Sequence, residues 1–133
     1  MEKLSVFISY STDDKTSAGK LKKYLHTYCG FDCFLAHEDI LISQEWESKI
    51  IESLNVSDIF IPLISEYSKN SIYVNQEIGL ALAHKKPILP LKLSKINPFG
   101  FISRVQAMNL FSTDHQFIIT ITLQIFLSLV ADV

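Results

Sequence analysis

The 133-residue sequence holds four glycines, and none falls into a G-x-G-x-x-G or a G-x-x-x-x-G-K run. A glycine-rich loop that cradles phosphates through backbone N–H groups is therefore excluded. No serine occupies a G-x-S-x-G elbow, which removes that class of hydrolase nucleophile. Neither sign of charge dominates: the net charge is −2, which gives no reason to expect a nucleic-acid surface or a binder of anionic membranes. Lys20, Lys22 and Lys23 cluster beside Asp13 and Asp14 and read as a solvated helix face. Long apolar runs are missing as well. The longest, 117–131, is interrupted by Thr120, Thr122, Gln124 and Ser128 and falls short of the roughly 18 residues a membrane span needs.

Only two cysteines are present, and a strand pattern begins within a few residues of Met1 in place of a secretory leader. The expectation is a soluble, cytoplasmic chain with reduced thiols. Cys29, Cys33 and His37 invite a metal reading, but Cys33 falls in a predicted strand. At about 3.3 Å per residue, Cys33 and His37 stand on the order of 13 Å apart, and zinc asks for about four ligands. No metal site is expected.

What the sequence does have is alternation. A β-forming run at 6–8 is followed by Ala18, Leu21, Leu25 and Tyr28 at helical spacing, with Gly30 as a stop. A second strand is predicted at 31–35, then a polar loop at 36–45 with an apolar centre, Ile40, Leu41 and Ile42. Trp46, Ile50, Ile51 and Leu54 form a helical stripe, broken at Ser57 and Asp58. Residues 59–64 are apolar almost throughout, as a strand buried on both faces is. Helix follows to about His84, a fourth strand at 87–93 with Pro90 awkward inside it, a short fifth strand at 107–110, and a helical tail. Such an order predicts one α/β domain over 1–133: a flavodoxin-like three-layer fold with a five-stranded parallel sheet, order 2-1-3-4-5, and helices on both faces. Ligands then bind at the carboxyl ends of the strands, near the point where the order reverses. That rule singles out 9–13, 36–45 and 65–77.

Glu77 stands out in that region. Tyr73 lies four residues before it on the same helix face. Ile78, Ala81 and Leu82 would make the core stripe, with Glu77 at its edge in or near the first turn. The plain alternative is a carboxylate favoured by the helix dipole, worth about 0.3–1 kcal/mol. A phosphoacceptor site fits poorly, because Asp13 and Asp14 come late after the first strand and no aspartate ends the third.

The stretches "VFISYSTDD", "FDCFLAHEDI", "EWESKIIESLNVSDIFIPLIS" and "YVNQEIGLALAHKKPILPL", in this order over residues 4–93, together resemble a TIR domain of the bacterial kind. The resemblance implies one of two functions: scaffolds that recruit one another, or enzymes that cleave NAD⁺ between nicotinamide and ribose, with roles in antiphage defence. The enzymes carry a glutamate in a W-x-x-x-E pattern. Here the pattern is Tyr73-Val74-Asn75-Gln76-Glu77, with tyrosine in place of tryptophan. Glu77 is the implied catalytic residue. Ser9, Tyr10, Phe34, His37, Asp39, Trp46 and Tyr73 are the implied cofactor-binding residues. Tyr10, Phe34 and Trp46 are candidates to stack on a base, each with core packing as the competing role. Ser9 and His37 are candidate hydrogen-bond donors. The loop 36–45 corresponds to the family's BB loop, which often carries a glycine that this chain lacks. The resemblance also implies NAD⁺ as substrate, with no further cofactor, and self-association or pairing with other TIR domains through that loop.

Overall fold

Ser5–Ser9 reads Ser-Val-Phe-Ile-Ser, a β-branched and aromatic run, and forms the first strand, β1. The computed structural model describes residues 4–35, 46–105 and 107–109, with Trp46 described by its backbone alone. Four more strands follow: β2 (Asp32–Leu35), β3 (Ile59–Ile64), β4 (Leu91–Lys92) and β5 (Met108–Asn109). They pair in parallel in the order β2-β1-β3-β4-β5, as the alternation predicts. The helices are α1 (Lys15–Tyr24), α2 (Trp46–Val56), α3 (Glu66–Lys69) and α4 (Ile72–Ala83).

Strand side chains alternate between faces, and this divides the core in two. Val6 and Ile8 of β1 pack with Ala18 and Leu21 of α1. Phe7 packs on the other face with Ile50 and Leu54 of α2 and Val74, Ile78 and Ala81 of α4. In register across this second face lie Phe34, Phe7 and Phe60, with ring centroids 5.2 and 5.5 Å apart. The row forms an aromatic floor beneath α2 and α4.

Several expectations shift. Tyr28 is exposed, because a wide π-type turn, Leu25–Cys29, extends α1 and breaks its 3.6-residue period. Tyr28 stacks instead on Tyr24 at 5.5 Å. Gly30, with φ of 70°, closes this segment in the left-handed conformation. The fourth strand shrinks from 87–93 to Leu91–Lys92, with Ile88 making one isolated bridge to Phe60. Pro87 and Pro90 have no N–H for the ladder, although the Pro87 carbonyl accepts from Phe60 N and that of Pro90 from Met108 N. The fifth strand is Met108–Asn109 alone.

The end of α4 closes on a left-handed residue. Lys86 N–H donates to the Ala81 carbonyl and Lys85 N–H to that of Leu82, a Schellman closure. Lys85, a non-glycine residue, takes the left-handed position with φ of 56°. Lys86 Nζ then reaches the end of α2, donating to the carbonyls of Asn55 at 2.9 Å and Ser57 at 2.7 Å. No helix among the described residues is long and apolar enough to cross a membrane.

Candidate active site

The position of Glu77 follows from where α4 starts. Ser71 is the N-cap, its side chain accepting from Val74 N–H at 3.2 Å. Glu77 is therefore the sixth helical residue and lies in the second turn, past the reach of the N-terminal dipole. It also does not sit at the edge of the apolar stripe. The buried positions of α4 are Val74, Glu77, Ile78 and Ala81, spaced as one helix face, while Leu82 is 38% exposed. Glu77, at 2% exposure, occupies a core position.

A carboxyl placed there needs a partner. Ser9, fully buried at the end of β1, donates its hydroxyl to Glu77 Oε1 at 2.6 Å. The other oxygen, Oε2, is buried with no hydrogen-bond partner among the described residues. Burial pushes the Glu77 pKa up to about 7, and the Ser9 hydrogen bond works against that rise.

Beside the carboxyl lies a cavity of about 440 Å³ between α2 and α4. Glu47, Ile50 and Ile51 line it from α2, and Tyr73, Glu77 and Gly79 from α4. Its volume falls within the roughly 300–1,000 Å³ typical of small-molecule sites. Gln76 and Leu80 complete the wall. They stand three and seven residues after Tyr73, so the spacing that joins Tyr73 to Glu77 also marks them. Gly79 carries a further signal, a glycine inside a helix: a Cβ built there meets nothing within 4 Å. Among the described residues no lysine or arginine lines this cavity, and its two carboxyls, Glu47 and Glu77, suit a ligand that is cationic or becomes so.

The other predicted residues are distributed differently. Tyr73, 48% exposed, shares the cavity wall with Glu77. Ser9 reaches the site, but its one hydroxyl proton is given to Glu77 in place of a ligand. Tyr10, 1% exposed, packs in the α1 layer, because the residue after Ser9 points to the opposite face of the sheet. Phe34, half-buried, packs against Phe7 in the aromatic floor. His37, Asp39 and the Trp46 side chain lie outside the described residues, as does the loop 36–45.

A second polar cluster sits at the ends of β1 and β3. The Ser65 hydroxyl donates to the buried Asp14 carboxyl, which ties the turn after β1 to the turn after β3. Ser65 also caps α3 by accepting from Ser68 N–H at 3.1 Å. Burial raises the Asp14 pKa, the Ser65 bond lowers it, and neighbouring Asp13 raises it. The hydrogen bonds of this cluster make it a structural tie. Among the described residues no group of three His, Cys, Asp or Glu side chains is placed to hold a metal ion.

The sequence profile described as "TIR domain" matches residues 6–120. The chain belongs to the TIR domain family. Solved structures similar to this TIR domain include the TIR domain of the Toll-related receptor TRR-2 from Hydra magnipapillata, with a TM-score of 0.76 and 14% identity over 91% of this chain and 97% of that one. A prokaryotic SEFIR domain gives a TM-score of 0.64 and 12% identity, over 96% of this chain and 92% of that one. The Clostridium botulinum CMP N-glycosidase BcmB gives 0.59 and 18% identity, over 89% and 98%. At these identities the likeness establishes a shared fold. No curated protein matches the chain by sequence.

Proposed function

We propose that this TIR domain is an NAD⁺ nucleosidase that cleaves the nicotinamide–ribose bond, with Glu77 as its catalytic residue. One observation carries the reading. A carboxyl at a core position of α4 stands at the wall of a cavity, with one oxygen held by Ser9 and the other unpartnered among the described residues. An aliphatic side chain would serve packing better there, and departures of this kind concentrate at functional sites.

The chemistry asks little more than a carboxylate. The bond from ribose C1′ to the nicotinamide ring nitrogen breaks, and its electron pair goes to that nitrogen, which loses its positive charge. Nicotinamide leaves neutral and needs no general acid. C1′ becomes oxocarbenium-like, and the Glu77 carboxylate stabilises that charge. Attack on C1′ by water, with loss of its proton, gives ADP-ribose. Attack by an adenine nitrogen gives a cyclic product. Burial holds the Glu77 pKa up at about 7, and a cationic nicotinamide in the cavity favours the ionised form. The fold is shared with the CMP N-glycosidase BcmB, which supports reading this scaffold as one that hosts N-glycosidase chemistry.

Tyr73 on the rim is the stacking residue of this reading. His37, Asp39 and Trp46 remain its proposed contributors from the loop 36–45 and the start of α2. A cytoplasmic setting, a part in antiphage defence and self-association through that loop belong to the same proposal. The test is incubation of the purified protein with NAD⁺ over a range of protein concentrations, with products identified by mass spectrometry, alongside Glu77→Gln. Nicotinamide release by the parent and not by the variant supports the reading. Equal release from both excludes Glu77. Concentration-dependent association with no release at any concentration supports the scaffold class of the family instead.

A further inference from the structure

We propose that Ser9 is the positioning residue of the Glu77 carboxyl: it engages Oε1, fixes the carboxyl plane against the sheet, and leaves Oε2 as the oxygen without a partner among the described residues. This rests on the cavity reading given above and assigns Ser9 a part different from ligand binding.

The geometry is rigid on the Ser9 side. Ser9 ends β1, a strand flanked by β2 and β3, and stands in register with Pro62 of β3. Alternation along β1 puts its side chain on the same face as Phe7, the face that α4 covers. The residue is fully buried and donates across 2.6 Å, a length typical of a hydroxyl donating to an ionised or strongly polarised oxygen. A serine hydroxyl has one proton to give. With that proton on Oε1, Ser9 has none for a substrate hydroxyl, and the two carboxyl oxygens become inequivalent. The bond also favours the ionised carboxyl against the cost of burial.

The surroundings bring few competing charges among the described residues. Across the cavity, α2 contributes Glu47. On α4 the titratable neighbour is Tyr73. β3 and the turn Gly100–Ile102 contribute no titratable group. α3 brings Glu66, Tyr67 and Lys69, all exposed. Asp14, at the end of the sheet, accepts from Ser65. Ser9 is thus the hydrogen-bond donor recorded on the Glu77 carboxyl, and its removal should be visible on that carboxyl itself.

The experiment is a ¹³C NMR titration of the Glu77 carboxyl in the parent, Ser9→Ala and Ser9→Cys, paired with the pH profile of nicotinamide release. Loss of a hydrogen bond to a charged group shifts a pKa by roughly one to two units. Ser9→Ala is expected to raise the Glu77 midpoint by that amount from about 7. The acidic limb of the activity profile should follow it, with the fold deficit largest below pH 7 and shrinking as pH rises through the shifted midpoint. Ser9→Cys, near in size but a weak donor, is expected to give a smaller upward shift and keeps the test open if the alanine variant folds poorly. An unchanged carboxyl midpoint in the folded variants overturns the proposal whatever happens to activity. A raised midpoint in a protein whose parent releases no nicotinamide supports the part of Ser9 while sinking the NAD⁺ reading.

Discussion

Tyr73 and Glu77 stand one turn apart on α4 and share a cavity wall, yet Tyr73 is 48% exposed and Glu77 2%. The ring lies at the rim and the carboxyl at the depth. A flat heterocycle entering past Tyr73 meets aromatic surface first and negative charge second. Stacking of this kind is worth about 1–3 kcal/mol, so Tyr73→Ala is expected to lower kcat/KM for NAD⁺ by roughly 5- to 150-fold. Tyr73→Phe should retain most of the activity. Initial rates against NAD⁺ concentration check this, with the melting temperature as a control for folding.

The Glu77 carboxyl should make stability and activity respond to pH in opposite directions. Its folded-state pKa, about 7, exceeds the ordinary 4.5. The folded chain therefore holds this proton more tightly than the unfolded chain. The resulting stabilisation is present in full below about pH 4.5 and is lost as pH rises to about 7. The span corresponds to about 3 kcal/mol, as an order of magnitude. Denaturant titrations at pH 4.5 and 8 should show the parent losing more stability than Glu77→Gln. If the proposed reaction uses the ionised carboxyl, nicotinamide release should rise over the same window.

Gly79 offers a way to close the cavity without touching the carboxyl. Among the described residues nothing lies within 4 Å of a Cβ placed there. Gly79→Ala is expected to stabilise α4 by about 0.5–1 kcal/mol, because alanine loses less backbone freedom on folding. Gly79→Leu should project into the cavity and raise KM for NAD⁺ while leaving the fold intact. Thermal melts and Michaelis kinetics of the two variants separate these effects.

At the far end of α4, Lys85 occupies the left-handed position of the Schellman closure. A side chain there costs about 1–2 kcal/mol, part of which glycine gives back through its greater freedom when unfolded. Lys85→Gly is expected to gain about 0.5–1 kcal/mol in urea unfolding. Lys86→Met, which removes the two bonds to the carbonyls of Asn55 and Ser57, should lose about 1 kcal/mol or more.

Much of this arrangement is legible in the sequence, at the level of periodicity. The alternation of apolar runs points to a parallel sheet covered on both faces, the expected order 2-1-3-4-5 is the one observed, and the unbroken run 59–64 coincides with β3. What escapes is whatever depends on a distant partner. Ser9 and Glu77 are 68 residues apart, and no local spacing links them. The alternation of Phe7, Ile8, Ser9 and Tyr10 does carry a clue: if Phe7 faces the α4 layer, so does Ser9, and Tyr10 cannot. The Leu25–Cys29 turn misleads because it changes the period without a proline or glycine inside it. Lys85 gives no sign at all, since left-handed helix ends are signalled by glycine or asparagine. Glu77 is legible as an exception to its neighbours, but its depth is not, because the start of α4 at Ile72 decides which turn it occupies.

An acid seated among Val74, Ile78 and Ala81 is a poor choice for a lineage that needs only a well-packed helix. If the proposed chemistry were abandoned, drift would favour an aliphatic residue at position 77 and release Ser9 with it. The pair should therefore persist or vanish together among descendants of this chain, a pattern that sequencing alone can read.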